Sequence, residues 1–294
     1  MTAKILVLGR SGQVARELER LGAPEGFELE FAGRERLDLA AVDPGPLVAG
    51  TAPAAVINAA AYTAVDKAES EPEAAFRLNR DVPAALALAC AAAGIPLVHF
   101  STDYVFDGTK KEPYVETDAV NPTGVYGASK AEGEAAVLAA GGPAIVLRTS
   151  WVYSAFGANF VKTMLRLAAT REELGVVADQ LGRPTWAEDC ARGALRSVQA
   201  LLAGEVAGAE LLHLAGEGDA TWADFAEAIF EESAARGGPA ARVKRITTAD
   251  YPTPARRPAN SRLDCGKIVR TLGLQPRPWR ESLGACFEAL ETQT

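Results

Sequence analysis

Cysteine is scarce and scattered. The 294-residue chain has four, Cys90, Cys190, Cys265 and Cys286, far apart and with no CxxC pair. That pattern excludes a disulfide framework and a cysteine-rich zinc site, and a reduced, cytoplasmic setting is expected. Long apolar runs are missing as well. The first, Ile5–Leu8, is too short for the core of a signal peptide and runs at once into a glycine turn. Nothing approaches the roughly 20 apolar residues of a membrane span, so no membrane partner is expected. Basic excess is also absent: 30 Lys and Arg stand against 38 Asp and Glu, a formal net charge of -8. A general nucleic-acid binder would need a basic face; a local basic pocket for a phosphorylated ligand remains compatible with this balance. Histidine is rare too. His99 and His213, the only two, each lie in or beside an apolar strand with no second ligand near in sequence, and both are read as structural.

What is present is a globular composition, 48% hydrophobic and 23% charged, with enough length for one large core or a core with a smaller lobe. Apolar, β-prone runs recur at Ile5–Leu8, Leu29–Ala32, Ala55–Asn58, Leu97–Phe100, Ala144–Leu147, Leu174–Val177 and Leu211–Leu214. Alanine-rich helical stretches, Val14–Leu21, Glu73–Ala93 and Lys130–Ala139, lie between the first five. Continuous apolar strands alternating with helices make a parallel sheet covered on both faces. No fixed-period repeat or low-complexity linker divides the chain. The expected fold is α/β, a doubly wound parallel sheet of Rossmann type with a smaller C-terminal lobe. The sheet domain is expected over 1–150, with segments of about 174–215 returning to it. The lobe, which would hold substrate, takes 151–173 and 216–294. The Pro- and Arg-rich stretch Tyr251–Pro258 is a loop.

The first motif follows the first strand. Gly9-Arg10-Ser11-Gly12-Gln13-Val14-Ala15 has the spacing GxxGxxA. Gly9 permits a tight turn, Gly12 lets the backbone approach a pyrophosphate, and Ala15 is small enough for the helix to pack on the sheet. The pyrophosphate then sits at the helix N-terminus, where amides and dipole favour an anion. A lone glycine pattern also fits an ordinary turn; its place after the first strand raises it to a candidate NAD(P) site formed by Gly9, Arg10, Ser11, Gly12, Gln13 and Val14. After the second strand, Arg34 is placed to accommodate the 2′-phosphate of NADP, against a reading as a solvated arginine. Asp38, with Leu39 after it, stands where an acid faces the adenine. NADPH is thus favoured, with NADH left open. Asn58-Ala59-Ala60-Ala61-Tyr62 leaves the backbone bare beside the cofactor, or is simply a tight junction.

Two further segments carry chemistry. Ser101-Thr102-Asp103-Tyr104 ends the fourth strand, where open parallel sheets place ligands. Tyr126-Gly127-Ala128-Ser129-Lys130 is YxxxK, and residues four apart share one helix face. A phenol with a pKa of about 10 is a poor proton source at neutral pH; a nearby ammonium lowers it. Thr102 can hold a substrate oxygen while Tyr126 supplies a proton. YxxxK alone is common by chance; with a strand-end Ser-Thr and an N-terminal glycine turn, in this order, it is specific.

This combination is that of the extended short-chain dehydrogenases/reductases. Thr63–Glu69, Ser101–Gly108, Arg148–Tyr153, Asp179–Thr185 and Tyr251–Pro258 narrow the match. From Lys4 to about Leu290 the chain resembles the dTDP-4-dehydrorhamnose reductase family. The resemblance implies an NAD(P)H-dependent oxidoreductase of dTDP-rhamnose biosynthesis that reduces the C4 ketone of a nucleotide-sugar substrate. It implies that Tyr126 protonates the forming alkoxide, that Lys130 holds the nicotinamide ribose and tunes Tyr126, and that Thr102 orients the ketone. Val65, Asp103, Tyr104 and Trp151 match positions around the sugar. Arg256 and Arg257 are candidate diphosphate partners, since arginine binds phosphate in a fork; Asn159 and Gln180 are candidates to shape the nucleotide or sugar pocket.

Some members of that family dimerise around magnesium held by glutamates. Glu17 and Glu188 are the weak candidate counterparts, so magnesium and a homodimer stay open and no metal site is assigned. A 4,6-dehydratase commonly carries Glu after the Thr-Asp pair; here Tyr104 stands in its place. Another nucleotide-sugar reductase or epimerase is the alternative on this scaffold. The non-enzyme alternative is a regulatory subunit resembling that of methionine adenosyltransferase, against which the intact Thr102, Tyr126 and Lys130 set argues.

Overall fold

Ile5, Leu6, Val7 and Leu8 are all fully buried, because the strand that holds them, β1 (Ala3–Leu8), is covered on both faces. In the computed structural model, which describes residues 2–292, it is joined by β2 (Phe27–Ala32), β3 (Ala55–Asn58), β4 (Leu97–Thr102) and β5 (Ala144–Thr149). With the strand Ala209–His213 they form one sheet in the order Ala209–His213, β5, β4, β3, β1, β2, and every pairing is parallel. Leu8 is in register with Asn58, and Thr102 with Thr149. The C-terminal ends of β1, β3 and β4 therefore open onto one edge of the sheet. The strand order reverses between β1 and β3, the switch point at which such sheets bind ligands.

The helices follow the sequence with one informative departure. Helix α1 (Gln13–Leu21) starts just after Gly12. The expected helix over Glu73–Ala93 is broken into Pro72–Phe76, a wide π turn over Arg77–Asp81, and Val82–Ala93. Pro83 explains the break. It has no N–H to give the Asn79 carbonyl, and its ring collides with it, so Val82 N–H bonds Arg77 five residues back. The third helix begins earlier than expected, at Val125 rather than Lys130, which places both Tyr126 and Lys130 on it.

The segment from 174 departs from the expected return to the sheet. Glu173–Val177 pairs instead with the strand Arg242–Ile246 in a separate two-stranded ribbon. Its burial alternates, with Leu174 and Val176 inside and Glu173 and Gly175 out, the signature of a half-buried strand. Leu174 and Val176 belong to a second core with Tyr153, Trp186, Phe225 and Trp279, distinct from the clusters on the two faces of the main sheet. Among the described residues, no helix is long and apolar enough to cross a membrane.

Candidate active site

Gly9 has φ +99°, a left-handed conformation that glycine adopts without strain. A Cβ there would press on the Ala59 carbonyl carbon and the Ala60 nitrogen at 3.3 Å. The glycine turn and the alanine run therefore approach backbone to backbone across the switch point. Between them lies a cavity of about 310 Å³ lined by Gly9, Arg10, Ser11, Gly12, Arg34, Asp38, Leu39, Ala59, Ala60 and Ala61, among others. Arg10, Ser11 and Arg34 also line an adjoining cavity of about 330 Å³. Arg34 is exposed and pairs with no acid among the described residues. Asp38 accepts the Ala40 N–H. Three candidates lie off this groove. Gln13 accepts a hydrogen bond from Asn159, Val14 packs into the core, and the Tyr62 hydroxyl donates to Glu71 at 2.8 Å.

At the end of β4 the chemistry converges. The Thr102 hydroxyl donates to Asp103 Oδ1 at 3.0 Å and accepts the Tyr104 N–H. Ser101 Oγ and Asp103 Oδ2 are buried without a hydrogen-bond partner. Buried polar atoms are rarely left so, which suits a site completed by a ligand. Burial raises the Asp103 carboxyl to about 6, against hydrogen bonds from Ser261 and Thr102. Tyr126 stands edge-on to Tyr104, with ring centroids 5.5 Å apart. Burial raises its phenol above the ordinary value while a hydrogen bond with Thr102 lowers it. The expected lowering by Lys130 is not seen. Lys130 Nζ instead donates to the Phe100 carbonyl at 2.5 Å and lies 3.5 Å from His99 Nε2. Burial lowers its ammonium to about 8, with Glu134 opposing.

Two glycines let the Tyr126 helix come this close. A Cβ on Gly127 would run into the Tyr104 carbonyl oxygen, and one on Gly133 into that of Asn79. Asn79, on the π turn, is fully buried; its amide reaches the Tyr62 backbone and Ser129 Oγ. The same helix is clamped to β5 by Arg148, whose guanidinium donates to both Glu134 oxygens at 2.8 and 2.7 Å. Sequence reasoning passed over Asn79, because a π turn has no periodic signature beyond the proline that causes it.

Beyond Tyr104 an outer pocket of about 670 Å³ is lined by Asp107, Asp179, Thr248, Tyr251, Arg256 and Arg257, among others. Arg257 donates to Asp66 at 2.7 Å and to the Tyr104 hydroxyl at 3.3 Å, whereas Arg256 is exposed. Val65 begins the short helix that carries Asp66. Trp151 has φ +48°, a conformation uncommon for a bulky residue. It stacks on Trp222 with ring centroids 3.6 Å apart, and a Cβ on Gly182 would run into it. Trp222 Nε1 donates to Gln180, which in turn donates to Thr248. Gln180 thus buttresses the tryptophan pair, and Trp222 is a residue that the motifs did not single out.

Asn159 does not join the pocket. It caps its own helix, and its amide nitrogen donates to Gln13, Ser154 and Phe156. Glu17 and Glu188 do come together, but on a guanidinium. Arg20 donates to both. Glu17 also accepts from Ser154 and Trp186, and Glu188 from Arg192 and Arg277. Carboxylates already matched by arginine do not fit a magnesium site, and no cluster suited to a metal ion occurs among the described residues.

The RmlD substrate binding domain model matches residues 3–292. A dTDP-4-dehydrorhamnose reductase of Sinorhizobium fredii is 48% identical over 281 residues, 95% of each chain. The solved structure of such an enzyme from Clostridium acetobutylicum superposes with a TM-score of 0.90 at 37% identity, covering 98% of this chain and 99% of that one. That of Bacillus anthracis, solved in complex with NADP, gives 0.90 at 33% identity and covers 98% and 100%. With the glycine turn, the strand-end Thr102 and the Tyr126–Lys130 pair assembled on one sheet edge, the chain belongs to the dTDP-4-dehydrorhamnose reductase family.

Proposed function

We propose that the chain reduces the C4 ketone of dTDP-4-dehydro-β-L-rhamnose to give dTDP-L-rhamnose, with NADPH as the preferred cofactor and NADH as the alternative. The carrying observation is the convergence of Thr102, Tyr126 and Lys130 beside the bare-backbone groove between Gly9 and Ala59. The cofactor, when bound, supplies the hydride. Gly9, Ser11, Gly12 and the Ala59–Ala61 run offer it backbone, and the Arg10 and Arg34 side chains suit a 2′-phosphate. The NADP complex of the Bacillus anthracis relative supports the same choice.

The protein's part is acid chemistry and positioning. Burial raises the Tyr126 phenol and makes it a weaker acid, but the forming alkoxide is a much stronger base than a phenolate, so Tyr126 still donates its proton to that oxygen. Thr102 orients that oxygen. Asp103 and Tyr104, with Val65 and Trp151 beside them, face the sugar. Arg256 and Arg257 meet the diphosphate in the outer pocket, where forked guanidinium contacts suit phosphate oxygens.

The test follows NADPH oxidation with dTDP-6-deoxy-L-lyxo-4-hexulose generated in place from dTDP-glucose. Oxidation should depend on the protein and yield dTDP-rhamnose. Tyr126→Phe should lower kcat by about 10²–10⁴-fold and still bind NADPH. No oxidation by a protein that binds NADPH would refute the reading.

A further inference from the structure

We propose that Asn58 and His99 form a tautomer lock that sets the proton count of Lys130, with His99 as a positioning residue for the site. Asn58, at the end of β3, is 1% exposed, and His99, in β4, is fully buried. The Asn58 Oδ1 accepts the Ala60 N–H at 3.2 Å, which fixes the amide with its NH₂ turned to His99 Nδ1 at 3.1 Å. An NH₂ only donates, so Nδ1 must accept. The neutral ring then carries its hydrogen on Nε2, and Nε2 faces Lys130 Nζ. The opposite tautomer would set Nδ1–H against the Asn58 NH₂, and a charged ring would do so as well.

The consequence falls on Lys130. An amine can accept the Nε2–H with its lone pair while donating to the Phe100 carbonyl. An ammonium has no lone pair and meets Nε2–H donor to donor. The lock thus favours the uncharged lysine, in the same direction as its burial. The remaining charges nearby do not cancel this. Glu134, one turn along, favours the ammonium but is held by Arg148. Arg80, on the π turn, is engaged with Asp81 and Glu132, and Asp103 acts on Tyr126. The ring itself is held neutral by burial.

The proposal rests on the reading that Lys130 serves the reduction, but its test needs no turnover. With only two histidines, long-range ¹H–¹⁵N spectra of ¹⁵N-histidine-labelled protein resolve each tautomer, and His213→Gln assigns the signals. His213 is the internal reference for the opposite form, because its Nδ1 donates to the Tyr114 carbonyl. His99 should be neutral and hydrogenated at Nε2 between pH 6.5 and 9. A ring hydrogenated at Nδ1, or charged, would overturn the lock. In Asn58→Asp the carboxylate accepts from Nδ1–H, so the tautomer should invert. The Lys130 titration, read from its ¹³Cε shift, should then move up by about one pH unit. A raised titration without inversion would assign the shift to the added charge alone and overturn the proposal. Loss of ketone reduction with the spectra as expected would instead refute the reading of the reaction.

Discussion

Arg34 illustrates how much one exposed side chain can decide. It stands on the rim shared by the groove and its neighbouring cavity, and Arg10 beside it lies 3.9 Å from Glu35. A phosphate dianion there would draw on both guanidiniums, whereas a bare ribose hydroxyl would not. Charge-assisted hydrogen bonds are worth about 1.5–3 kcal/mol, so Arg34→Ala should raise the KM for NADPH by about 10-fold or more and leave that for NADH nearly unchanged. Steady-state kinetics with both cofactors check this; equal effects would remove Arg34 from 2′-phosphate recognition. The place of Arg34 on this rim was legible in the sequence, because the end of the second strand marks where such a side chain stands. Asn159 was less so. A polar residue after a loop reads equally as ligand-binding or as a helix cap, and the cap won.

At the scale of elements, the Tyr126 helix shows two effects in competition. Glycine inside a helix costs about 1 kcal/mol relative to alanine, so Gly127→Ala would stabilise a free helix. Here the added Cβ meets the Tyr104 carbonyl, and the helix must back away from the β4 end. A displacement near 1 Å can cost about 10²-fold in rate. Gly127→Ala should therefore lower both kcat, by about 10–100-fold, and the melting temperature. A melting temperature that rises would show that the approach is not tight. The order of strands and helices was legible from continuous apolar runs. The second core was not, because its strands are short and half-buried, and alternation such as that of Glu173–Val177 reads weakly beside the main sheet. The π turn was hidden for another reason: Pro83 announces a break, but not how the chain closes it.

The whole molecule carries a pH liability in its two buried histidines. Burial and Arg148 lower the His213 imidazolium to about 3, and burial with Lys130 lowers that of His99. Unfolded histidine titrates near 6.5. Between that value and the folded one the unfolded chain binds more protons, so stability falls as pH falls through this window, by up to about 1.4 kcal/mol per unit for each ring. Urea unfolding from pH 7 to 4 should show the decline. His213→Gln should be less stable at pH 7 but flatter with pH, and an unchanged slope would contradict the assignment.

One last feature bears on how the molecule comes into being. The stretch after Tyr251 crosses back over the chain. Ala255 and Arg257 hold Asp66, Asn260 holds the Lys110 and Glu112 carbonyls, and Leu263 bridges to Tyr114. The groove between Gly9 and Ala59 draws on the first third of the sequence, the outer pocket on contacts spanning some 190 positions. Chains emerge from the ribosome N-terminus first, and long-range closures are slow. The residues that line the groove thus leave the ribosome well before those that close the outer pocket, but the core beneath β1 waits for Leu263, Ile268 and Leu272, so the mouth for the sugar and the floor under the cofactor are completed together.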